Sequence, residues 1–138
     1  NVVLDTLLPK QEQFSFVDLG SGCGGLLNNL AKVHKNGLFY GIESAPLPLL
    51  ISKLRSLPNH GSCQIFWGSF WEYDLSQYDV VYAYLSPIPM ESLWRKVSKE
   101  MRPGSLLISN TFLIPGVTPH KSIQLNDFSN STLYLWKI

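Results

Sequence analysis

Short apolar runs alternate with amphipathic segments along most of the chain. Apolar runs predict strands over 14–19, 38–43, 62–67, 78–85 and 105–111. Helical spacing of apolar residues predicts helices over 1–8, 24–35, 46–57 and 89–101. The apolar residues of the third helix are expected to face inward, namely Leu50, Ile51, Leu54 and Leu57. Two last apolar segments, 122–125 and 132–136, flank a turn-rich spacer and predict a hairpin.

The alternation of strands with helices implies right-handed crossovers and a parallel sheet covered by helices. We therefore predict an α/β fold, Rossmann-like and doubly wound, with a mainly parallel seven-stranded sheet and an antiparallel C-terminal hairpin. The length of 138 residues indicates a single domain over 1–138. The chain begins at Asn1 rather than at methionine, so an N-terminal truncation that removes a targeting or membrane segment stays open.

Charge and composition narrow the possible partners. The formal net charge is +1 and like charges form no run, which disfavours a strong electrostatic grip on nucleic acid. No apolar stretch approaches the ~20 residues of a membrane helix, and no signal peptide is visible, so a cytoplasmic location is expected. Cys23 and Cys63 lack metal-ligand spacing. His34, His60 and His120 are expected at the surface or in loops, so no metal site is predicted.

A glycine-rich loop follows the first predicted strand and fits two ligand patterns. Gly20, Gly22 and Gly25 match the dinucleotide pattern G-x-G-x-x-G, while Asp18, Gly20, Gly22 and Gly24 match D-x-G-x-G-x-G. Glycines between a strand and a helix let a ligand approach the backbone closely. Both a dinucleotide and another adenosine ligand are compatible with the glycines alone.

Two acids bear on the choice between these ligands. Glu43 ends the second predicted strand, 23 residues after Gly20, where a carboxylate can accept hydrogen bonds from both ribose hydroxyls. Asp18 would repel a pyrophosphate but would attract an ammonium or a sulfonium. The chain is also too short for the separate substrate domain of most nicotinamide enzymes. These points favour a cationic adenosine ligand over NAD.

Several segments together resemble one family from Phe14 onward. "VDLGSGCGG", "FYGIES", "YDVVYAYLSP" and "MRPGSLLIS" resemble, in this order, the motifs of the class I S-adenosylmethionine-dependent methyltransferases. "DLGSG", "GIESAPLPLLISKLRS" and "DLSQYDVVYAYL" are most similar to small bacterial members akin to the lysine methyltransferases that modify mitochondrial membrane proteins. The resemblance implies S-adenosylmethionine as the cofactor.

The resemblance also implies roles for individual residues. Asp18 would hold the amino group of the cofactor, and the loop would lie against its methionine part through Gly20, Ser21, Gly22 and Gly24. Glu43 would bind the ribose and Ser44 would border the adenine. Ser69 stands where related enzymes often have an acid that contacts the adenine. Phe70 or Trp71 would stack on the adenine, with plain packing equally open.

The acceptor side of the chain departs from the family pattern. Enzymes that methylate amide or base nitrogens often have Asn or Asp followed by Pro-Pro after the fourth strand, whereas this chain has Tyr84-Leu85-Ser86-Pro87. This argues against glutamine or adenine methylation. Tyr84 and Ser86 are the candidate catalytic residues, with Tyr84 as a base, a cation–π partner or plain packing.

The predicted function is methyl transfer from S-adenosylmethionine to a protein lysine nitrogen. A small-molecule methyltransferase, a nicotinamide-dependent oxidoreductase and a catalytically silent cofactor-binding module are the alternatives. The partner is therefore an unidentified protein or small-molecule acceptor, and the sequence leaves the oligomeric state open.

Overall fold

The computed structural model describes residues 2–22, 24–59, 62–126 and 130–138. The chain divides into two compact units, Asn1–Tyr73 and Asp74–Ile138. Each unit contains strands of its own and at least one α-helix.

Three parallel strands form the sheet of the first unit. Its elements are α1 (Val2–Leu7), β1 (Phe14–Leu19), α2 (Gly25–Val33), β2 (Gly37–Glu43), α3 (Pro46–Ser56) and β3 (Cys63–Trp67). β2 lies between β1 and β3, and its register pairs Gly41 with Asp18 and Glu43 with Trp67. Because parallel strands end at the same edge of a sheet, Asp18, Glu43 and the segment after Trp67 all lie at one edge.

The core of the first unit consists of aromatic and aliphatic side chains. Phe16 and Phe39 are fully buried, and their ring centroids are 5.5 Å apart. Leu27, Leu30 and Ala31 of α2 are buried as well, so the apolar residues at helical spacing in this segment form one inward face. Each fully buried leucine contributes about 1.5–3 kcal/mol relative to an exposed one, so this face fixes α2 and the loop that precedes it.

The inward face predicted for α3 is wrong. Leu50, Leu54 and Leu57 are 57%, 59% and 64% exposed, while Ser52 and Ser56 are buried. A Cβ on Gly24 would lie 2.9 Å from the Cβ of Ser52, so only a small side chain fits on this face of α3. Each buried serine hydroxyl donates to the carbonyl three residues earlier, at 2.9 Å, which offsets the cost of burying it.

The histidines differ in part from the expectation that all are surface or loop residues. His34 is buried, and its Nε2 lies 3.0 Å from Asp5 Oδ1 in α1. His34 does lie in the connection between α2 and β2, as expected, but it is not at the surface, because the start of the chain folds over it. His120 is exposed, and its Nδ1 accepts a hydrogen bond from the Lys137 N–H. His60 lies outside the described residues.

The second unit combines one parallel and two antiparallel strand pairs. Its elements are β4 (Val80–Ala83), α4 (Met90–Glu100), β5 (Leu106–Asn110), β6 (Lys121–Gln124) and β7 (Thr132–Lys137). β5 runs parallel to β4 and antiparallel to β7, which also pairs antiparallel with β6. The predicted apolar face of α4 is confirmed, with these residues buried: Met90, Leu93, Val97 and Met101. Trp94 of the same face is half-buried.

The seven strands form one sheet in the order β3-β2-β1-β4-β5-β7-β6. This confirms the predicted α/β fold with a mainly parallel seven-stranded sheet and antiparallel C-terminal strands. Residues 127–129 of the predicted hairpin spacer lie outside the described residues. The assignment of 1–138 to a single domain stays a prediction. Within the described ranges, no helix is both long enough and apolar enough to cross a bilayer.

Candidate functional site

The glycine loop after β1 has a left-handed backbone at three glycines. Gly20, Gly22 and Gly24 have φ angles of 77°, 58° and 76°, a region that residues with a Cβ rarely adopt. A Cβ on Gly22 would meet no atom of the described chain within 4 Å. The need for glycine at this position is therefore conformational, and its backbone is open to approach by a ligand.

The first three N–H groups of this loop are already engaged. The N–H groups of Gly20 and Ser21 both donate to the Ile42 carbonyl, at 2.9 and 3.1 Å. The Gly22 N–H donates to Glu43 Oε2 at 3.3 Å. These three N–H groups are therefore not available as donors to the phosphates of a dinucleotide in the loop as folded.

Asp18 lies at the base of the loop as a buried carboxylate. Its side chain is 5% exposed, and its Oδ1 has no hydrogen-bond partner among the described residues. Burial, and secondarily the Glu43 carboxylate, raises the pKa of Asp18 to about 7. An isolated buried charge is costly, and no hydrogen bond to Oδ1 within the described residues offsets the cost of burying the ionised Asp18. A ligand cation beside Asp18 would offset that cost.

Ser21 is held against β2 by a glycine that the sequence analysis did not single out. A Cβ on Gly41 would lie 2.7 Å from both Ser21 Oγ and Leu27 Cδ1, so only glycine lets the loop and α2 pack on β2. Ser21 Oγ is buried and has no hydrogen-bond partner within the described part of the chain. A glycine inside a strand is a signal of such a close approach, and it could have identified Gly41.

The end of β2 is joined to the segment after β3. Glu43 is half-buried and is followed by the exposed Ser44. The Gly68 N–H donates to the Glu43 carbonyl at 3.0 Å. Ser69 is the next residue, and its Oγ accepts a hydrogen bond from the Trp71 N–H at 3.3 Å. The structure thus brings Ser44 and Ser69 to the same strand ends as Glu43.

Two aromatic rings follow Ser69 on a short 3₁₀ turn. The ring centroids of Phe70 and Trp71 are 4.4 Å apart and their planes are tilted by 42°. Phe70 is half-buried and Trp71 is exposed. Their mutual contact gives both rings a packing role, which leaves the two interpretations of Phe70, packing or stacking on a ligand, equally open.

The candidate acceptor residues lie after β4 in the second unit. Tyr84 directly follows the strand and is 51% exposed, and Ser86 is exposed as well. Phe112 lies near Tyr84, with ring centroids 6.5 Å apart and an interplanar angle of 59°. The sequence analysis did not identify Phe112, because the contact depends on a loop conformation that no local pattern reveals.

That loop conformation is fixed by hydrogen bonds after β5. The Asn110 amide donates to the Tyr82 hydroxyl at 3.1 Å in a buried contact. Thr111 has a φ of 76°, which is uncommon for a β-branched residue. Its N–H donates to the Thr132 carbonyl at 2.7 Å, and its hydroxyl donates to Asn110 Oδ1 at 2.8 Å. These bonds turn the chain so that Phe112 comes beside Tyr84.

Cysteine and metal chemistry play no visible part in the described residues. Cys63 is buried, and burial raises the pKa of its thiol to about 11, which keeps it protonated and unreactive. Cys23 lies outside the described residues. In the ranges that the structure describes, no three or more His, Cys, Asp or Glu residues are grouped so that they could hold a metal ion.

Comparison with known proteins identifies relatives. The family model described as the ANTKMT methyltransferase domain matches residues 18–121. A protein-lysine N-methyltransferase of Saccharolobus islandicus (strain REY15A) is 31% identical over 124 residues, covering 88% of this chain and 77% of that protein.

Solved structures agree with these matches. An RNA methyltransferase from Salinibacter ruber, in complex with S-adenosyl-L-homocysteine, is 25% identical with a TM-score of 0.82, covering 91% of this chain and 80% of the other. A SAM-dependent methyltransferase from Thiobacillus denitrificans, also in complex with S-adenosyl-L-homocysteine, is similar in fold, with 21% identity, a TM-score of 0.67 and coverages of 79% and 46%.

The family match covers more than half of the chain and includes Asp18, the glycine loop, Glu43 and the Tyr84 loop. The Salinibacter ruber relative is in complex with S-adenosyl-L-homocysteine, which agrees with the cofactor expected from the sequence. This chain belongs to the ANTKMT methyltransferase domain family and is a class I S-adenosylmethionine-dependent methyltransferase.

Proposed function

We propose that this enzyme methylates the side-chain nitrogen of a lysine in a protein. The observation that carries the proposal is the 31% identity to a protein-lysine N-methyltransferase over 88% of the chain. The uncharged loop after β4 is consistent with it. Residues 84–89 include no acidic or basic side chain. Such a loop suits an amine acceptor, because an amine needs only to lose its proton before it can be methylated.

The edge of the first unit fits S-adenosylmethionine. The buried Oδ1 of Asp18, which lacks a partner among the described residues, would accept a hydrogen bond from the ammonium group. The left-handed backbone at Gly20 and Gly22 would lie against the methionine part, and Glu43 would accept the ribose hydroxyls. When bound, the cofactor supplies an activated methyl group on a positively charged sulfur.

The remaining residues at this edge have smaller proposed roles. Ser21 Oγ, buried and without a partner in the described chain, would hydrogen-bond the methionine part. Ser44 and Ser69 would border the adenine, and Phe70 would stack on it. Gly24 packs directly against Ser52. Its proposed contribution to cofactor binding is therefore indirect, because the absence of a side chain lets α3 approach the loop.

The proposed role of Tyr84 and Ser86 is to orient the acceptor amine. Both hydroxyls can accept a hydrogen bond from an amine N–H without protonating the amine. The lysine ammonium would release its proton to solvent. The lone pair of the neutral nitrogen would then form the bond to the methyl carbon as the bond between that carbon and sulfur breaks, with S-adenosylhomocysteine as the leaving group. Positioning of this kind lowers a barrier mainly by holding the reacting atoms in line.

Methyl-labelled S-adenosylmethionine tests the acceptor. The enzyme is incubated with a cell extract separated into protein, RNA and small-molecule fractions, and labelled protein is hydrolysed to amino acids. We expect label in methylated lysine. Label only in RNA, the substrate class named for the Salinibacter ruber relative, or only in small molecules would contradict the proposal.

A matched pair of variants supports the assignment. Glu43→Ala should lose labelling, while Glu91→Gln, which changes an exposed carboxylate on α4, should keep it. Equal labelling by both variants would show that the signal does not come from the proposed cofactor site. The cytoplasmic location expected from the sequence stays a prediction.

A further inference from the structure

The aromatic pair formed by Tyr84 and Phe112 is held in place by several hydrogen bonds in the turn that carries Phe112. Its rings lie 6.5 Å apart at the carboxyl ends of two parallel strands, β4 and β5. Their register pairs Ala83 with Ser109, so Tyr84, the residue after β4, comes beside Asn110, the last residue of β5. Ligands of α/β sheets bind outside these strand ends, and Tyr84 remains half-exposed there.

The turn that carries Phe112 holds an unfavourable backbone conformation. A non-glycine residue at positive φ costs about 1–3 kcal/mol and persists only where surrounding contacts enforce it. At Thr111 these contacts are its two hydrogen bonds, to Thr132 and Asn110. The Phe112 carbonyl also accepts a hydrogen bond from Ser109 Oγ at 2.6 Å. Strain of this kind concentrates at sites that bind ligands.

We propose that Phe112 is a specificity-determining residue that, with Tyr84, contacts the incoming lysine side chain, and that Asn110 and Thr111 are the residues that position it. The proposal rests on the lysine acceptor proposed above. It assigns to the turn after β5 a part of the acceptor site that the sequence pattern did not indicate.

Two tilted rings suit an alkylammonium chain. The aliphatic part of lysine packs against ring faces, and the ammonium is attracted to the π electrons of a ring within about 6 Å. A neutral small molecule would gain only the packing against the ring faces and not the electrostatic attraction to the π electrons. The aromatic pair therefore favours a cationic side chain over an uncharged acceptor of similar size.

The same chemistry predicts which kinetic constant changes. The cation–π contact stabilises the lysine ammonium that binds, and it also stabilises the positive charge that the nitrogen regains as it takes up the methyl group, so the contact is present in the ground state and in the transition state. Loss of the ring should therefore raise KM for the acceptor and leave kcat nearly unchanged. A merely structural role of Phe112 would instead lower the amount of active enzyme, which appears as a fall in kcat.

The test measures initial rates of methyl transfer into the protein fraction of a cell extract at increasing protein concentration. Phe112→Leu keeps an apolar side chain and removes the ring, while Phe112→Tyr keeps the ring. Leu113→Ala is the matched control, because Leu113 is a half-exposed neighbour in the same turn. Affinity for S-adenosylhomocysteine, measured by calorimetry, reports whether each variant retains its fold.

We expect Phe112→Leu to raise the apparent KM about five- to thirtyfold, in line with the strength of cation–π contacts. Phe112→Tyr and Leu113→Ala should stay within about twofold of the wild type, and cofactor affinity should not change. Thr111→Gly, which removes the need for a strained φ but loosens the turn, should also raise KM.

Kinetics of Phe112→Leu equal to those of the wild type, while the wild type still labels lysine, would overturn this inference alone. Lower kcat with unchanged KM would overturn it as well. Failure of the lysine proposal is recognised separately, because the wild-type enzyme itself would then label RNA or small molecules.

Discussion

The substitution Asp18→Asn should stabilise the ligand-free protein while it weakens cofactor binding. Asp18 is buried, its Oδ1 has no partner in the described residues, and burial raises its pKa to about 7, against about 3.9 for an exposed aspartate. Asparagine has the same shape and no charge. Each pKa unit corresponds to about 1.4 kcal/mol between the two protonation states, so ionising Asp18 in the ligand-free fold costs about 4 kcal/mol.

The sign of the pH dependence follows from where the proton binds. Between the unfolded pKa near 4 and the folded pKa near 7, the folded state holds a proton that the unfolded state has lost. Stability therefore falls as pH rises through this window. From pH 5 to pH 8 the loss from Asp18 alone amounts to about 3 kcal/mol. Asp18→Asn should remove this loss, so the stability advantage of the variant over the wild type should grow by about 3 kcal/mol between pH 5 and pH 8.

Urea unfolding of the ligand-free proteins at pH 5, 6, 7 and 8, followed by tryptophan fluorescence, measures the effect. Taking the difference between wild type and variant at each pH cancels the contributions of the other titrating groups. Glu91→Gln, at an exposed carboxylate, is the control and should leave the pH dependence unchanged. If Asp18→Asn shows the same pH dependence as the wild type, Asp18 is not an uncompensated buried acid and the argument for its role fails.

Other predictions concern the glycines and the ribose carboxylate. Glu43→Ala should weaken S-adenosylhomocysteine binding by about 1.5–3 kcal/mol in calorimetry while the protein stays folded; unchanged affinity would make Glu43 an ordinary solvated acid. Gly22→Val, at φ 58° but without a clash in the described chain, should lose cofactor binding and about 1–3 kcal/mol of stability, and retention of full affinity would show that no ligand approaches this backbone. Gly41→Ala, whose Cβ would lie 2.7 Å from Ser21 and Leu27, should cost about 1–3 kcal/mol in urea unfolding; a neutral result would mean that the loop can move away from β2.

The sequence predicted the strands well. A sheet that is covered by helices buries its strands, so the strands appear in the sequence as apolar runs. The prediction failed for α3, where helical spacing of leucines indicated an inward face, but Ser52 and Ser56 are buried instead and the close approach of Gly24 admits only a side chain as small as that of Ser52. Periodicity shows that a helix has two faces, and the packing distance decides which of them is buried.

The candidate cofactor residues and the aromatic pair depend on different kinds of information. Asp18, Gly22 and Glu43 follow a fixed order along the chain, and strand register brings them together, so spacing alone indicates that they lie close to one another. The contact of Phe112 with Tyr84 depends on a positive φ at Thr111, which tertiary hydrogen bonds enforce against the residue's own preference. Local propensity cannot predict such a turn.

The most direct test of the account is calorimetric titration of the protein with S-adenosylhomocysteine and with NAD at pH 6, in two buffers of different ionisation enthalpy. If the ammonium of the ligand pairs with Asp18, binding must remove the proton that the buried acid holds below its raised pKa. We predict that S-adenosylhomocysteine binds with release of close to one proton, and that NAD gives no binding heat. Binding of NAD alone, or binding of S-adenosylhomocysteine without proton release, would contradict the assignment of Asp18 and its loop to the cofactor ammonium.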